Sequence, residues 1–286
     1  MATLKYDLRG TRLHLLPSGD LLIATSSPEP RGGPLGGLVR LAPNGEIRHR
    51  APFHHPHDVP HSERGEYDAF GIGPIASTTD HAVVLGGSYG PGPSGWWWGK
   101  FTPDGVRLAE RTGRIHFPMS VDAVTALPDG GFALILRNLD RPAMALDVVL
   151  ERYAASGQRL ARRVLVEKGE CPGAAFTSDG RIAIMRCGTP HRLMYFTGEG
   201  APIRELPWPT SQGETLAIAS DGTGILLMEE ADSARVRINR LDRDGAVVWR
   251  TAKAKYGDVT SAAGDVAMLS LDADGKAATL LRYAKP

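Results

Sequence analysis

Apolar and polar positions alternate along most of this chain in short runs rather than in helical stripes. "RLHLL" and "LLIATS" flank the turn "PSGD", "VTAL" and "FALILRN" flank "PDGG", and "AAFT" and "IAIMRC" flank "SDGR". Period-two runs of Val, Ile, Leu and aromatics broken by Asp-Gly, Asn-Gly or Ser-Gly pairs predict β-strands joined by tight hairpins, because those pairs accept the positive φ that such turns need. The segment "DVVLERYAASGQRLARRV" comes nearest to a helical pattern. Its register matches that of equivalent segments elsewhere, so it is read as two strands about Ser156 and Gly157.

The hairpins recur as a larger unit of two strands about a Gly turn, a variable loop, and two more strands about a second turn. Five full copies are legible: "RLHLLPSGDLLIATSS" with "GLVRLAPNGEIRHR", "IGPIASTTDHAVVLGGS" with "GWWWGKFTPDGVRLAERTG", "DAVTALPDGGFALILRN" with "DVVLERYAASGQRLARRVLV", "GAAFTSDGRIAIMRC" with "RLMYFTGEGAPIRELPWP", and "TLAIASDGTGILLMEE" with "ARVRINRLDRDGAVVWRT". A sixth, "DVTSAAGDVAMLSLDADGKAATLLRYAKP", supplies three strands, and the orphan run "ATLKYDL" at the amino terminus is the expected fourth. Four strands per unit predict an all-β protein, a six-bladed β-propeller of four-stranded antiparallel blades. The ring is expected to close when the amino-terminal strand completes the last blade, giving one domain over residues 1–286. In its "DGG" hairpin and its aromatic after a second "DG" ("RLDRDGAVVWRT"), the repeat resembles the generic bacterial β-propeller repeat. That resemblance implies architecture and no named activity.

Charge narrows the partners. Thirty-three basic against thirty-two acidic residues leave +1, without a block of like charge, so nucleic acid is excluded as an expected partner. No apolar run reaches the roughly 18 residues of a membrane-spanning helix, and "MATLKYDLRG" lacks the apolar core of a signal peptide. A cytoplasmic protein with no membrane partner is expected, as a monomer or weak homo-oligomer. The two cysteines, Cys171 and Cys187, flank one hairpin. A disulfide, a thiol pair on a metal and two buried thiols all remain open. Alternation in "GWWWGKF" puts Trp96 and Trp98 on one sheet face and Trp97 on the other, which suits packing between blades as well as a stacking platform.

Candidate chemistry gathers at the strand ends away from the hairpin turns. The stretch "PFHHPHDVPHSERGEYDAFG", residues 52–71, holds His54, His55, His57 and His61 and joins the first repeat to the second. At the starts of successive first strands, "YDAFG", "VDAVT", "ECPGA", "GETLA" and "GDVTS" place Asp68, Asp122, Cys171, Glu214 and Asp258 at similar levels. Carboxylates brought together at such ends either bind a cation or raise one another's pKa, and each alone also suits a structural hydrogen bond to a neighbouring blade. The expected function is an enzyme acting on a small molecule or peptide, of hydrolase, lyase or cyclase type, through acid–base or metal-assisted chemistry. Asp122, Glu214, His57 and His61 are its candidate catalytic residues and, equally, its ligands for a divalent Ca, Zn or Mn ion. Asp68, Arg137, Cys171, His191, Trp208 and Asp258 are candidate substrate contacts, with Arg137 orienting an anionic group. The alternative is a non-catalytic ligand-binding or protein-interaction propeller, a lectin-like one on account of the tryptophans.

Overall fold

The computed structural model describes residues 12–26, 36–53, 69–90, 95–114, 121–140, 145–167, 173–186 except 178, 192–208, 215–220, 224–232, 235–250 except 243, 254–255, 257–262, 265–271 and 278–283. Every regular element among them is a β-strand. The first sheet contains β1 (Arg12–Leu15), β2 (Leu21–Ser26), β3 (Gly36–Leu41) and β4 (Ile47–Phe53). The second contains β5 (Ala69–Ser77), β6 (Val83–Gly90), β7 (Gly95–Phe101) and β8 (Arg107–Arg114), and the third β9 (Val121–Ala126), β10 (Phe132–Asp140), β11 (Ala145–Tyr153) and β12 (Arg159–Val166). The fourth is built from β13 (Ala174–Phe176), β14 (Ile182–Arg186), β15 (Arg192–Phe196) and β16 (Pro202–Pro207). In the fifth, β17 (Thr215–Ser220), β18 (Ile225–Asp232), β19 (Arg235–Leu241) and β20 (Val247–Arg250) are joined by the short β21 (Ala254–Lys255). Each sheet is an antiparallel meander in chain order, the blade of a β-propeller.

The blade count corrects the sequence expectation. Five blades are four-stranded, and the sixth repeat forms a sheet of only three strands, β22 (Gly257–Ala262), β23 (Asp265–Leu271) and β24 (Ala278–Tyr283). Six four-stranded blades are therefore not what the chain builds, because the sixth repeat holds three strand-length apolar runs and no fourth strand pairs with them among the described residues. The segment expected to close the ring, residues 1–11, lies outside those residues.

Turn chemistry explains the regularity of the meanders. Leu16 N–H donates to Asp20 O at 2.8 Å while Gly19 N–H donates to Leu16 O at 2.9 Å, and the same two bonds close the turns at Ala42, Thr102, Leu127, Ala154, Thr177, Thr197 and Asp242. This is a type I turn followed by one left-handed residue. Glycine fills that position in these eight turns with φ between 76° and 86°, and His81 fills it in a ninth, with φ 61°.

The described residues divide into two compact units, 12–167 and 173–283. Within the first, the opening strands β1, β5 and β9 lie side by side, as do β13, β17 and β22 within the second. Apolar side chains fill the seams between blades. Leu16, Leu22, Ala24 and Leu38 of the first blade pack on Ile72, Val83, Leu85, Trp97 and Phe101 of the second. On the second blade's other face Ala76, Val84, Trp96 and Trp98 pack on Val121, Phe132, Leu134, Leu136, Val149 and Tyr153 of the third. The strand β7 is buried along its whole length, with Trp98 edge-on to Phe132 and Tyr153 at 4.9 and 5.1 Å. The three tryptophans of β7 are seam residues. They present no face for stacking a sugar.

Candidate functional site

Three of the opening strands, β5, β9 and β17, break their register with the second strand of the blade, whereas β1, β13 and β22 pair without a break. In β5 the register with β6 breaks between Ile72 and Ile75, in β17 it breaks between Thr215 and Ala217, and in β9 Ala123 pairs with Ile135 while Val121 pairs with Leu136, leaving Asp122 as the extra residue. A bulge bends its strand and turns one side chain out of the pleat. At β9 the consequence is specific. Val121 stays on the apolar face with Leu136, in the seam with the second blade, and Asp122 is released to meet Arg137 of β10.

Glycines admit this arrangement. A Cβ on Gly73 would stand 2.9 Å from Val121 O and 3.0 Å from Gly86 O, and one on Gly86 would stand 2.6 Å from Val121 Cβ. The second blade therefore lacks side chains where β9 approaches it. The bulged end of β9 fits against bare backbone.

Arg137 Nε donates to Asp122 Oδ1 at 2.9 Å. The carboxylate side chain is 8% exposed and the guanidinium side chain 26%. A nearly buried carboxylate engaged by a guanidinium fixes that planar group in orientation, and a partly exposed guanidinium so held suits recognition of a carboxylate or phosphate. The same pairing makes Asp122 an acceptor already in use, a poorer starting point for a general base.

Of the other candidates, Asp258 lies in β22, its backbone paired with Leu269, near the start of an opening strand as Asp122 is in β9. Trp208 follows β16 and, partly buried, packs against the apolar seam of Ala183, Leu193, Tyr195, Ile225, Leu227 and Leu241 between the fourth and fifth blades. His57, His61, Asp68, Cys171, His191 and Glu214 lie outside the described residues, as does Cys187. Among the described residues no three His, Cys, Asp or Glu side chains gather as a metal-ligand group.

Two polar arrangements were not anticipated from the sequence. His14 of β1 places Nε2 2.7 Å from Ser77 Oγ of β5, joining adjacent opening strands, and burial lowers the imidazole pKa to about 4. In the fifth blade the buried Glu229 accepts from Asn239 Nδ2 at 2.5 Å, and Arg250 Nε donates to Asn239 Oδ1 at 2.8 Å, a carboxylate–amide–guanidinium chain across three strands. His14 had one available signal, a lone imidazole among the leucines of "RLHLL", and Asn239 had none, standing between Arg237 and Arg240 in "RINRL". Both runs read equally well as ordinary alternation.

No protein-family model matches the chain, and no curated protein does. Among solved structures it is similar to a protein of unknown function from Bacteroides caccae, at TM-score 0.57 and 14% identity over 90% of each chain. It is also similar to the Pan2 WD40 domain of Neurospora crassa, at TM-score 0.47 and 16% identity over 73% of this chain and 60% of that one. BamB from Moraxella catarrhalis aligns at TM-score 0.45 and 14% identity, over 92% of this chain and 70% of that one. The Bacteroides likeness shows a shared fold alone.

Proposed function

We propose that this β-propeller binds a small molecule or peptide at the bulged end of β9, with Arg137, oriented by Asp122, as the anchor for an anionic group of the ligand. The observation that carries the reading is the bulge at Asp122. It interrupts a regular ladder to set a charged pair at the strand end. The partial exposure of Arg137 supports the choice of an anion.

The test is a thermal-shift screen of N-acetylated amino acids, short peptides with free carboxylates and sugar phosphates, followed by calorimetry on any hit. Arg137→Gln is expected to weaken a hit by about tenfold or more, the scale of a lost charge-assisted hydrogen bond. Asp122→Asn, which leaves the arginine less well oriented, is expected to weaken it less. Hits that bind Arg137→Gln as tightly as the parent would overturn the reading.

A catalytic reading is favoured by a separate observation. Residues 52–71, which carry His57 and His61, run directly into the bulged β5. In that version the histidines supply acid–base help or hold a divalent ion, and Asp122 and Arg137 bind substrate. Elemental analysis at near-unit metal content, or turnover lost in His57→Gln at unchanged melting temperature, would favour it over simple binding.

A further inference from the structure

The seam between the second and third blades changes character towards its outer strands. Further in it is apolar, with Trp98 against Phe132 and Tyr153. Residues directly opposite one another in a ladder share a face of the sheet, and that rule places the charged side chains that follow. Arg111 of β8 is opposite Trp98, so it lies on the face of the second blade turned towards the third. Glu151 of β11 is opposite Leu134, and Arg162 of β12 is opposite Glu151, which puts both on the face of the third blade turned towards the second. Arg159 joins them opposite Tyr153, whereas Arg163, opposite Leu150, belongs to the other face.

One carboxylate serves all the donors of the third blade. Glu151 Oε1 takes Arg159 at 3.0 Å and Arg162 at 3.4 Å, and Oε2 accepts from the Tyr153 hydroxyl. Burial and that carboxylate push the Tyr153 pKa up, so the phenol keeps its proton and stays a donor. The Glu151 side chain is 2% exposed while those of Arg159 and Arg162 are 40% and 45% exposed, so the guanidinium groups open to solvent above a filled floor. Arg111, half-buried on the facing wall, pairs with no carboxylate among the described residues, and its charge is felt at the Tyr153 hydroxyl. Its neighbours on that face of β8 are Ala109 and Gly113, and Lys100 opposite Ala109 is already taken by Asp80. Three guanidinium groups therefore meet a single carboxylate. The excess of positive charge is costly where water is partly excluded, unless an anion completes the set.

We propose that this outer seam binds a phosphate group, free or as a monoester, with Arg111 on one wall and Arg159 and Arg162 on the other. Guanidinium groups meet phosphate oxygens in the planar, two-bond geometry that makes arginine the usual partner of that group. Charge decides the ligand. A phosphate monoester carries about −1.5 to −2 at pH 7 and offers three acceptor oxygens, which balances three arginines set against one glutamate, whereas a single carboxylate or chloride leaves positive charge over. The site is separate from the bulged end of β9, since none of its residues belongs to β9 or β10.

The test is calorimetric titration of the full chain with inorganic phosphate and, in parallel, with glycerol phosphate, at an ionic strength held constant with sodium chloride. Saturable binding of phosphate is expected. Arg111→Gln and Arg162→Gln should each weaken it about tenfold or more, the scale of a lost charge-assisted hydrogen bond, while Arg137→Gln leaves it unchanged. Glu151→Gln removes the competing carboxylate and should tighten binding, an effect that a merely structural cluster would not show. Melting temperatures measured on the same samples verify folding, and Arg111→Gln, which breaks no ion pair among the described residues, keeps the test decisive if the Glu151 variant is unstable. Binding of both ligands would identify an esterified phosphate and binding of inorganic phosphate alone the free ion, and either sustains the proposal. Absence of saturable phosphate binding by the parent, equal affinity in Arg111→Gln, or a loss that follows Arg137→Gln instead would each overturn it.

Discussion

His14 shows what a single side chain does in a seam. Its imidazole is held against Ser77 Oγ and burial keeps it neutral, with the pKa lowered from 6.5 to about 4. The unfolded chain takes up a proton as pH falls through 6.5, whereas the folded chain resists until about 4, so the unfolded state binds more protons between those values. Stability from this residue is full above pH 6.5, declines down to about 4 and is flat below. The decline should amount to no more than about 3.5 kcal/mol, and His14→Gln should flatten that part of a denaturant-derived stability–pH profile. An unchanged slope in the variant would show that other groups cause it. His81 is the other informative residue, an L-residue at φ 61° where eight neighbouring turns use glycine. Because the left-handed region costs a side chain about 1–2 kcal/mol and glycine returns part of that in chain entropy, His81→Gly should stabilise by up to about 1 kcal/mol. Gly180→Ala is the converse control. Nothing lies within 4 Å of its added Cβ, so its loss of stability reports the backbone alone.

At the scale of the element, the hairpins were legible because the turn sequences are local instructions: Pro-Ser-Gly-Asp, Pro-Asp-Gly-Gly and Ser-Asp-Gly-Arg each specify one left-handed residue at one place. Strand alternation in "GWWWGKF" likewise indicated that Trp97 and its two neighbours serve opposite seams. The bulges were not legible. Whether Asp122 stays in the ladder or leaves it depends on what the neighbouring blade offers to Val121, and that is a contact between residues far apart in sequence. Asp122 was visible in the sequence near the start of its strand, yet its pairing with Arg137 required the register of β9 on β10. Gly86 allows that register to be tested. An added methyl would overlap Val121, so Gly86→Ala should destabilise by about 1–3 kcal/mol, the usual cost of overpacking a filled core. Because the overlap includes Val121 Cβ as well as its methyl groups, Val121→Ala should restore only part of the loss. Strict additivity in the double mutant would mean that the two residues do not press on each other.

In the whole molecule, blades must be joined as well as built, and on the hairpin-turn side the chain repeats one device in each compact unit. A cation on a blade's outer half reaches the outer turn of the next blade. Arg40 bridges Asp20 of its own blade at 2.7 Å and Asp104 of the second at 3.0 Å, and Lys100 bridges Asp80 of its own at 2.7 Å and Ala155 O of the third at 3.1 Å. In the fourth blade Tyr195 holds the equivalent position, and the link passes to its cross-strand neighbour. Arg204 stacks 4.9 Å from the Tyr195 ring and reaches Asp244 of the fifth blade at 3.2 Å. The sequence repeat fixed where these side chains sit but not which turn they reach, since the partner is always on another blade. Burial should rank their worth. Lys100 is 3% exposed, Arg40 21% and Arg204 30%, the last facing an aspartate that is 66% exposed. A desolvated cation with two acceptors contributes more than a solvated pair, which is typically worth about 0–1 kcal/mol. Lys100→Met should therefore lower the unfolding free energy by about 1–3 kcal/mol, Arg40→Met by less, and Arg204→Met least of all unless the lost stacking on Tyr195 matters more than the ion pair. Repeating the denaturation in high salt separates those last two contributions. Screening removes the Arg204–Asp244 attraction in the parent but leaves the stacking, so a difference between parent and Arg204→Met that survives salt belongs to the ring, and an Arg204→Met loss larger than that of Lys100→Met would refute burial as the measure of these links.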